Sequence, residues 1–374
     1  MRLLKSRRGV LLSLVSLFFS MTASMSVGAE PAVTVERVLP ETVYLERRGE
    51  LLRLNFDLLL NNSHDEDKTL NYLDLRLYNE AGQILKRRIM DGNGLPGAIT
   101  MLPNRIIPAG GELHLFSPFP DLHVRQTVSE VRLRGFYDGG SFEAMFQPVN
   151  YDGPILAHPP LEGTAYIFAG NDLFAHHRRV SLASEPAREL GMQRITQRFA
   201  LDFTVLDEDS GDLAVGDLTK LDNWPAYGRK IFAPLGGVVA AVRRDMPDNH
   251  MTQDAGVQKP ENYESFGEDA SLGNYVILQV EDAYLVMSHF KEGSLNVKLG
   301  DRVATGETLG LLGLSGDTVY PHLHMQMQDG QDILHSAPLP IIFDCAFVGV
   351  GEHYEEVRNF GADTGDFVRA CSDR

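Results

Sequence analysis

Two histidines separated by one leucine, His322 and His324, stand in the run Leu314-Ser-Gly-Asp-Thr-Val-Tyr-Pro-His-Leu-His-Met-Gln-Met-Gln328. The run reads as a Gly316-containing turn followed by a strand that opens at Pro321, where a missing N–H is tolerated. Alternate side chains of a strand share a face, so the two imidazoles point the same way, about 7 Å apart. Leu323 and Met325 point the other way, into a core. Two imidazoles on one rigid face can divide a labour, one binding a metal and the other handling a proton. In a chain with 12 histidines the pair alone is a weak signal. It gains weight from three other places. Gln197 to Leu206 reads as a strand with Phe199, Leu201, Phe203 and Val205 on one face and Arg198, Ala200, Asp202 and Thr204 on the other. A carboxylate there is costly unless something pairs with it, and a metal ion or Arg198 would do so. His289 closes the strand Tyr284–His289, and His176-His177-Arg178-Arg179 forms a polar knot upstream.

The elements that must position these residues are mostly β. From Val33 to Val149, short alternating runs such as Leu73/Leu75/Leu77 and Val131/Leu133 are separated by polar turns. This pattern predicts an antiparallel β-sandwich of immunoglobulin-like type over residues 30–150. Three prolines between Tyr151 and Pro160 mark a linker, set at 151–162. A second antiparallel β domain is expected over 163–345, with a C-terminal tail over 346–374. Within it, Asn274–Val280 and Tyr284–His289 read as a hairpin, and Arg244 to Leu272 as a long surface loop of the kind that often serves function.

At 43% hydrophobic and 23% charged residues the composition is that of an ordinary globular protein. The net charge of −17 argues against nucleic acid as a partner. Arg2, Lys5, Arg7 and Arg8, the apolar stretch Val10–Phe19 and the small residues Ser26-Val-Gly-Ala29 read as a secretory signal peptide over 1–29. The apolar stretch is shorter than a spanning helix needs, so stable membrane insertion after cleavage is not expected. The product would be exported, to the periplasm or beyond. An oxidising compartment permits a disulfide between the two cysteines, Cys345 and Cys371.

The motifs fall in a telling order. Asp202 on a strand is followed by Ala233-Pro-Leu-Gly-Gly-Val-Val239, Ser288-His289-Phe290 and Gly300-Asp-Arg-Val-Ala-Thr-Gly-Glu-Thr-Leu-Gly310. Ser315-Gly-Asp-Thr then precedes Pro321-His-Leu-His324. Over about residues 165–345 the chain resembles the lysostaphin-like zinc endopeptidases. That resemblance implies a small antiparallel β domain with a groove, one Zn²⁺, and hydrolysis of peptide bonds in peptidoglycan. It also implies Asp202 and His324 as zinc ligands, with His322 and His289 as catalytic histidines that activate water and stabilise the oxyanion. One position departs from the family pattern. The usual His-x-x-x-Asp would place a histidine at 198, where this chain has Arg198, and a guanidinium cannot ligate zinc. A variant with an upstream His-Arg ahead of a Gln-Arg-Phe/Tyr-Ala-x-Asp strand fits this chain, which makes His177 the expected third ligand and His176 the alternative. Arg198 would then lie near Asp202, supporting it or contacting substrate. The rival reading is a metal-free, degenerate domain that binds the cell wall or regulates a hydrolase. A biotinyl- or lipoyl-type carrier lacks its lysine here, and no Gly-x-Ser-x-Gly or cysteine nucleophile motif is present.

Overall fold

Alternation along each N-terminal strand decides which face is dry. In Glu130–Tyr137, Val131, Leu133 and Tyr137 are buried while Arg132, Arg134 and Phe136 face out. This strand sits between Gly140–Phe146 and Lys68–Tyr78, and Ile84–Met90 completes that layer. A second antiparallel sheet pairs Asp57–Asn62 with Val33–Leu39 and Glu112–Leu115. Leucines of both layers, among them Leu58, Leu60, Leu73, Leu75 and Leu133, share one core, so this half is a two-sheet sandwich. The computed structural model describes residues 31–120, 122–350 and 353–371. The expected signal peptide, residues 1–29, lies outside the described residues. Among the described residues, no helix is long and apolar enough to cross a membrane.

The second core gathers around a long antiparallel sheet. Its central order is Gly237–Arg243, Asn274–Val280, Ala283–Phe290, Leu323–Gln328, Leu201–Thr204 and Ala165–Ala169. The chain therefore is mostly β throughout, with antiparallel sheets in both halves. Three features differ from the sequence-based boundaries. Residues 346–374, expected as a tail, supply instead most of Phe343–Val350, all of His353–Phe360 and the strand Phe367–Ala370. Phe360, Ala362 and Val368 are buried in the second core, so this stretch is needed to close it. The linker is packed as well: Leu156 and Leu161 are fully buried, and the Leu156 N–H donates to Ile342 O at 2.9 Å. Finally, the sheet passes through His353–Phe360 into Tyr44–Arg48 and Leu51–Leu54 of the N-terminal half. The C-terminal strands are also tied by a Cys345–Cys371 disulfide.

The stretch Leu52–Leu58 shows why the halves are joined. Its alternation predicts a single strand with Arg53, Asn55 and Asp57 in water. All three are buried, because the C-terminal half covers that face. Arg53 pairs with Asp363 and donates to Asn171 O at 3.0 Å. Asp57 pairs with Arg198, and its Oδ1 accepts the Ser117 N–H at 2.8 Å. Glu46 receives Arg178 at 2.9 Å and Asn55 at 3.2 Å.

Burial alone would raise the Asp57 pKa, but Arg198 and the His114 hydrogen bond outweigh it and hold the carboxyl at about 2. A depressed carboxyl contributes stability above its unfolded value near 4 and loses it as pH falls towards 2. Removing one partner of a fully buried pair leaves an uncompensated charge. Asp57→Ala should therefore cost about 3–5 kcal/mol in urea unfolding at pH 7, whereas Asp57→Leu with Arg198→Met should recover most of it. The loss on Asp57→Ala should shrink in melts repeated near pH 2.

Candidate metal centre

Asp202 is fully buried at the centre of Leu201–Thr204, directly opposite His324 on the neighbouring strand. Opposed residues of an antiparallel pair share a face. The His324 Nδ1 lies 3.0 Å from Asp202 Oδ1, and the His322 Nε2 lies 3.8 Å from the same oxygen. The other oxygen faces the upstream histidines. His177 Nε2 is 2.9 Å from Asp202 Oδ2, and His176 Nε2 is 3.7 Å from it.

Both upstream histidines can reach Asp202 because His176–Arg179 is a 3₁₀ turn and not extended chain. They are not equivalent. His177 is buried and its Nδ1 sits 2.9 Å from Gln197 Oε1, while the His176 side chain keeps about half its surface in water (55%). The ligand atoms of His176, His177 and Asp202 all lie within 4.8 Å of one another.

The histidines have further partners that fix their rings. His324 Nε2 is 2.8 Å from Gln326 Oε1, Gln326 donates to Gln328 at 2.7 Å, and Gln328 donates to Gly330 O. The glutamine oxygens accept from the far nitrogens, which fixes both rings with the near nitrogen of His177 and of His324 directed at the accepting Asp202 carboxylate, where a metal would take the place of the shared hydrogen. Such outer partners commonly orient metal-ligating imidazoles. Two imidazoles and one carboxylate, oriented from behind, are a donor set of the kind that holds zinc with an open fourth position.

His289 arrives by a different device. Regular alternation would turn it away from the face of Ser288, which opposes His324. The pairing with Asn274–Val280 slips between Asn274 and Val276, so Ser288 and His289 together oppose Tyr275. His289 takes φ +67° at this bulge. A bulge of this kind re-aims a side chain, and here it brings the His289 ring to 4.7 Å from that of His322. Asn274 braces the turn through Met246 O and Phe290 O.

His289 Nδ1 lies 2.8 Å from Ser315 O, and His322 Nδ1 lies 2.9 Å from Tyr320 O. A carbonyl can only accept, so both Nδ1 atoms carry hydrogen and both Nε2 atoms keep a lone pair. Burial lowers the pKa of each; for His289 the neighbouring His322 and His324 add to this, and for His322 burial prevails over Asp202. Both rings are therefore neutral bases at pH 7. For His177, burial pulls the pKa down, but the Asp202 charge and hydrogen bond prevail and raise it. Burial opposes ionisation of Asp202, yet the imidazoles hold it well below the usual carboxylate range.

The residues line a cleft of about 320 Å³ that also includes Phe168, Thr318 and Tyr320. Arg198 is not in it. Gln197 and Arg198 lie in a turn before the strand, which sends Arg198 to Asp57 and away from Asp202. The expected Arg198–Asp202 contact is thereby overturned. Four contributors were not foreseen. Gln326 and Gln328 continue the His324 face and were visible as polar alternates in an apolar strand. Tyr320 turns a buried, unpartnered hydroxyl into this region. Arg178, next to His177, is anchored on Glu46 of the sandwich, a contact with no local sequence signal.

Residues 221–335 match the family described as Peptidase family M23. The match spans 115 of the chain's 374 residues. The matched segment contains His289, His322 and His324, while His177 and Asp202 precede it. No curated protein matches the chain. Among solved structures, cbpa from L. salivarius REN is 18% identical, with 37% of this chain and 61% of that one covered and a TM-score of 0.20. The catalytic domain of the antimicrobial peptidase lysostaphin from Staphylococcus simulans is 22% identical over 30% of this chain and 74% of that one, TM-score 0.17. A zinc-containing peptidase from Vibrio cholerae is 11% identical over 78% and 80%, TM-score 0.26.

A metal must displace the proton that Asp202 holds on His177, so zinc affinity should fall on acidification from above the 6.5 of a free imidazole. Competition with a chromophoric chelator from pH 8 to 6 measures this. In the same assay Glu46→Gln, which touches no ligand, should weaken zinc binding about tenfold by releasing the His177 turn.

Proposed function

We propose that the protein is an exported zinc peptidase that hydrolyses peptide bonds of peptidoglycan. The observation that carries this is the meeting of His177, Asp202 and His324 with two neutral histidine bases in one cleft. The peptidase domain supports the reaction class, and the ordered motifs shared with lysostaphin-like endopeptidases support the substrate. His177, Asp202 and His324 would hold the metal, with His176 at the rim.

Zinc bound there supplies a Lewis acid for the scissile carbonyl and brings the ionisation of water near neutral pH. The chain's own residues do the rest. His322, its Nδ1–H fixed on Tyr320 O, offers Nε2 to take a proton from water and return it to the leaving amine. His289 offers a second Nε2 lone pair. In its resting form it has no donor for an oxyanion, so it serves that role only after taking a proton. The Tyr320 phenol stays protonated, because burial and the nearby Asp202 raise its pKa. Its unpartnered O–H can donate to the developing oxyanion without prior proton transfer.

Zinc content and turnover on purified peptidoglycan test the assignment together. His324→Ala should remove the metal. His322→Ala should retain one zinc per chain and lose turnover by roughly 10³-fold. Tyr320→Phe should also retain zinc and lose roughly 10²-fold in kcat. Full activity of His322→Ala would overturn its role, and a chain that takes up no zinc would favour the binding or regulatory reading.

A further inference from the structure

The sheet face that carries Asp202 and His324 continues past the candidate centre. Thr204, two residues from Asp202, opposes Tyr166, and Tyr166 opposes Phe367 on the C-terminal strand. Arg369, two residues from Phe367, shares that face. A second cleft, about 490 Å³, opens here between Tyr166, Phe367, Tyr354, Arg369, Arg229 and the turn at Asp207. An aromatic wall joins the two clefts. Phe168 lines the first and stands two residues from Tyr166, with Tyr320 at 4.9 Å on one side and Phe367 5.2 Å from Tyr166 on the other.

The chemistry of the second cleft is specific. Arg369 Nε donates to Thr164 Oγ1 at 2.6 Å, and its guanidinium stacks 3.7 Å from the Tyr354 ring centroid. Arg229 Nε donates to Pro225 O at 3.0 Å. Each guanidinium is oriented through Nε, and neither is ion-paired among the described residues. Two acidic side chains also line the cleft: Asp207, whose Oδ1 accepts the Asp209 and Ser210 N–H groups and the Ser210 hydroxyl, and the exposed Glu208. In a chain of net charge −17, two oriented and unpaired guanidiniums above an aromatic floor fit a carboxylate on a partly apolar chain. Three strand spacings separate Leu323–Gln328 from Phe367–Ala370, about 14 Å, which an extended peptide crosses in about four residues.

We propose that this cleft is a second substrate subsite, holding a carboxylate of the peptide about four residues from the bond that is cut. The proposal rests on the peptidase reading, but binding tests it separately. The probe is a fluorescein-labelled, cross-linked peptide released from peptidoglycan, compared with the same peptide after amidation of its carboxylates. Anisotropy titrations use the full chain carrying His322→Ala. The acid form should bind at least tenfold tighter than the amide. Adding Arg369→Gln, which keeps a donor for Thr164, or Arg229→Gln should abolish that difference, and Phe367→Ala should weaken both forms. Equal binding of acid and amide, no binding of either, or a preference that survives both arginine substitutions would overturn the subsite. Failure of the peptidase reading shows differently: the unsubstituted chain leaves peptidoglycan uncut while the arginine-dependent preference persists.

Discussion

The buried carboxylate of Asp202 is the constraint around which the second half of this chain is arranged. An unpaired carboxylate at that depth is strongly unfavourable. Its two oxygens are instead divided between two groups of imidazoles, His322 and His324 on one side and His176 and His177 on the other. Each group reaches it by its own backbone device, the strand Leu323–Gln328 and the residue just before it for the first and a 3₁₀ turn for the second. The bulge at His289 adds a further ring without disturbing the pairing of Ser288 with His324.

This arrangement extends well beyond the peptidase motifs. The two turns that flank Asp202 each present a polar contact to the site and an arginine to the sandwich. His177 is followed by Arg178, which binds Glu46, and Gln197 by Arg198, which binds Asp57. Both arginines are almost fully buried. The N-terminal half therefore acts as a wall against which the ligand-bearing turns are pressed. Arg178 also lies over the Phe199 ring at 5.0 Å, so the two turns lean on one another. Because such charges are costly when unpaired, the halves have little freedom to separate.

The C-terminal strands serve both sides of this design. They close the second core through Phe360 and Val368, receive Arg48 and Arg53 of the sandwich, and bring Phe367 and Arg369 onto the face of the candidate centre. A segment that reads as a tail thus completes the sheet. Its alternation is weak: His353–Phe360 is largely exposed, so hydrophobic periodicity gives little signal for a strand.

By itself the sequence determined the β class and the shared face of His322 and His324, because these follow from period-two alternation within single strands. It also marked Asp202 as a residue in need of partners, since a charge inside an apolar strand is legible locally. It could not place Arg198, because four turn residues before the strand break the alternation that seemed to align it with Asp202. Nor could it show that Arg53, Asn55 and Asp57 are buried: their polar face looks solvated until another part of the chain, more than 100 residues away, covers it. Only the tertiary structure decided which charges meet, because pairing between distant segments depends on how whole sheets pack and leaves no periodic trace in either segment.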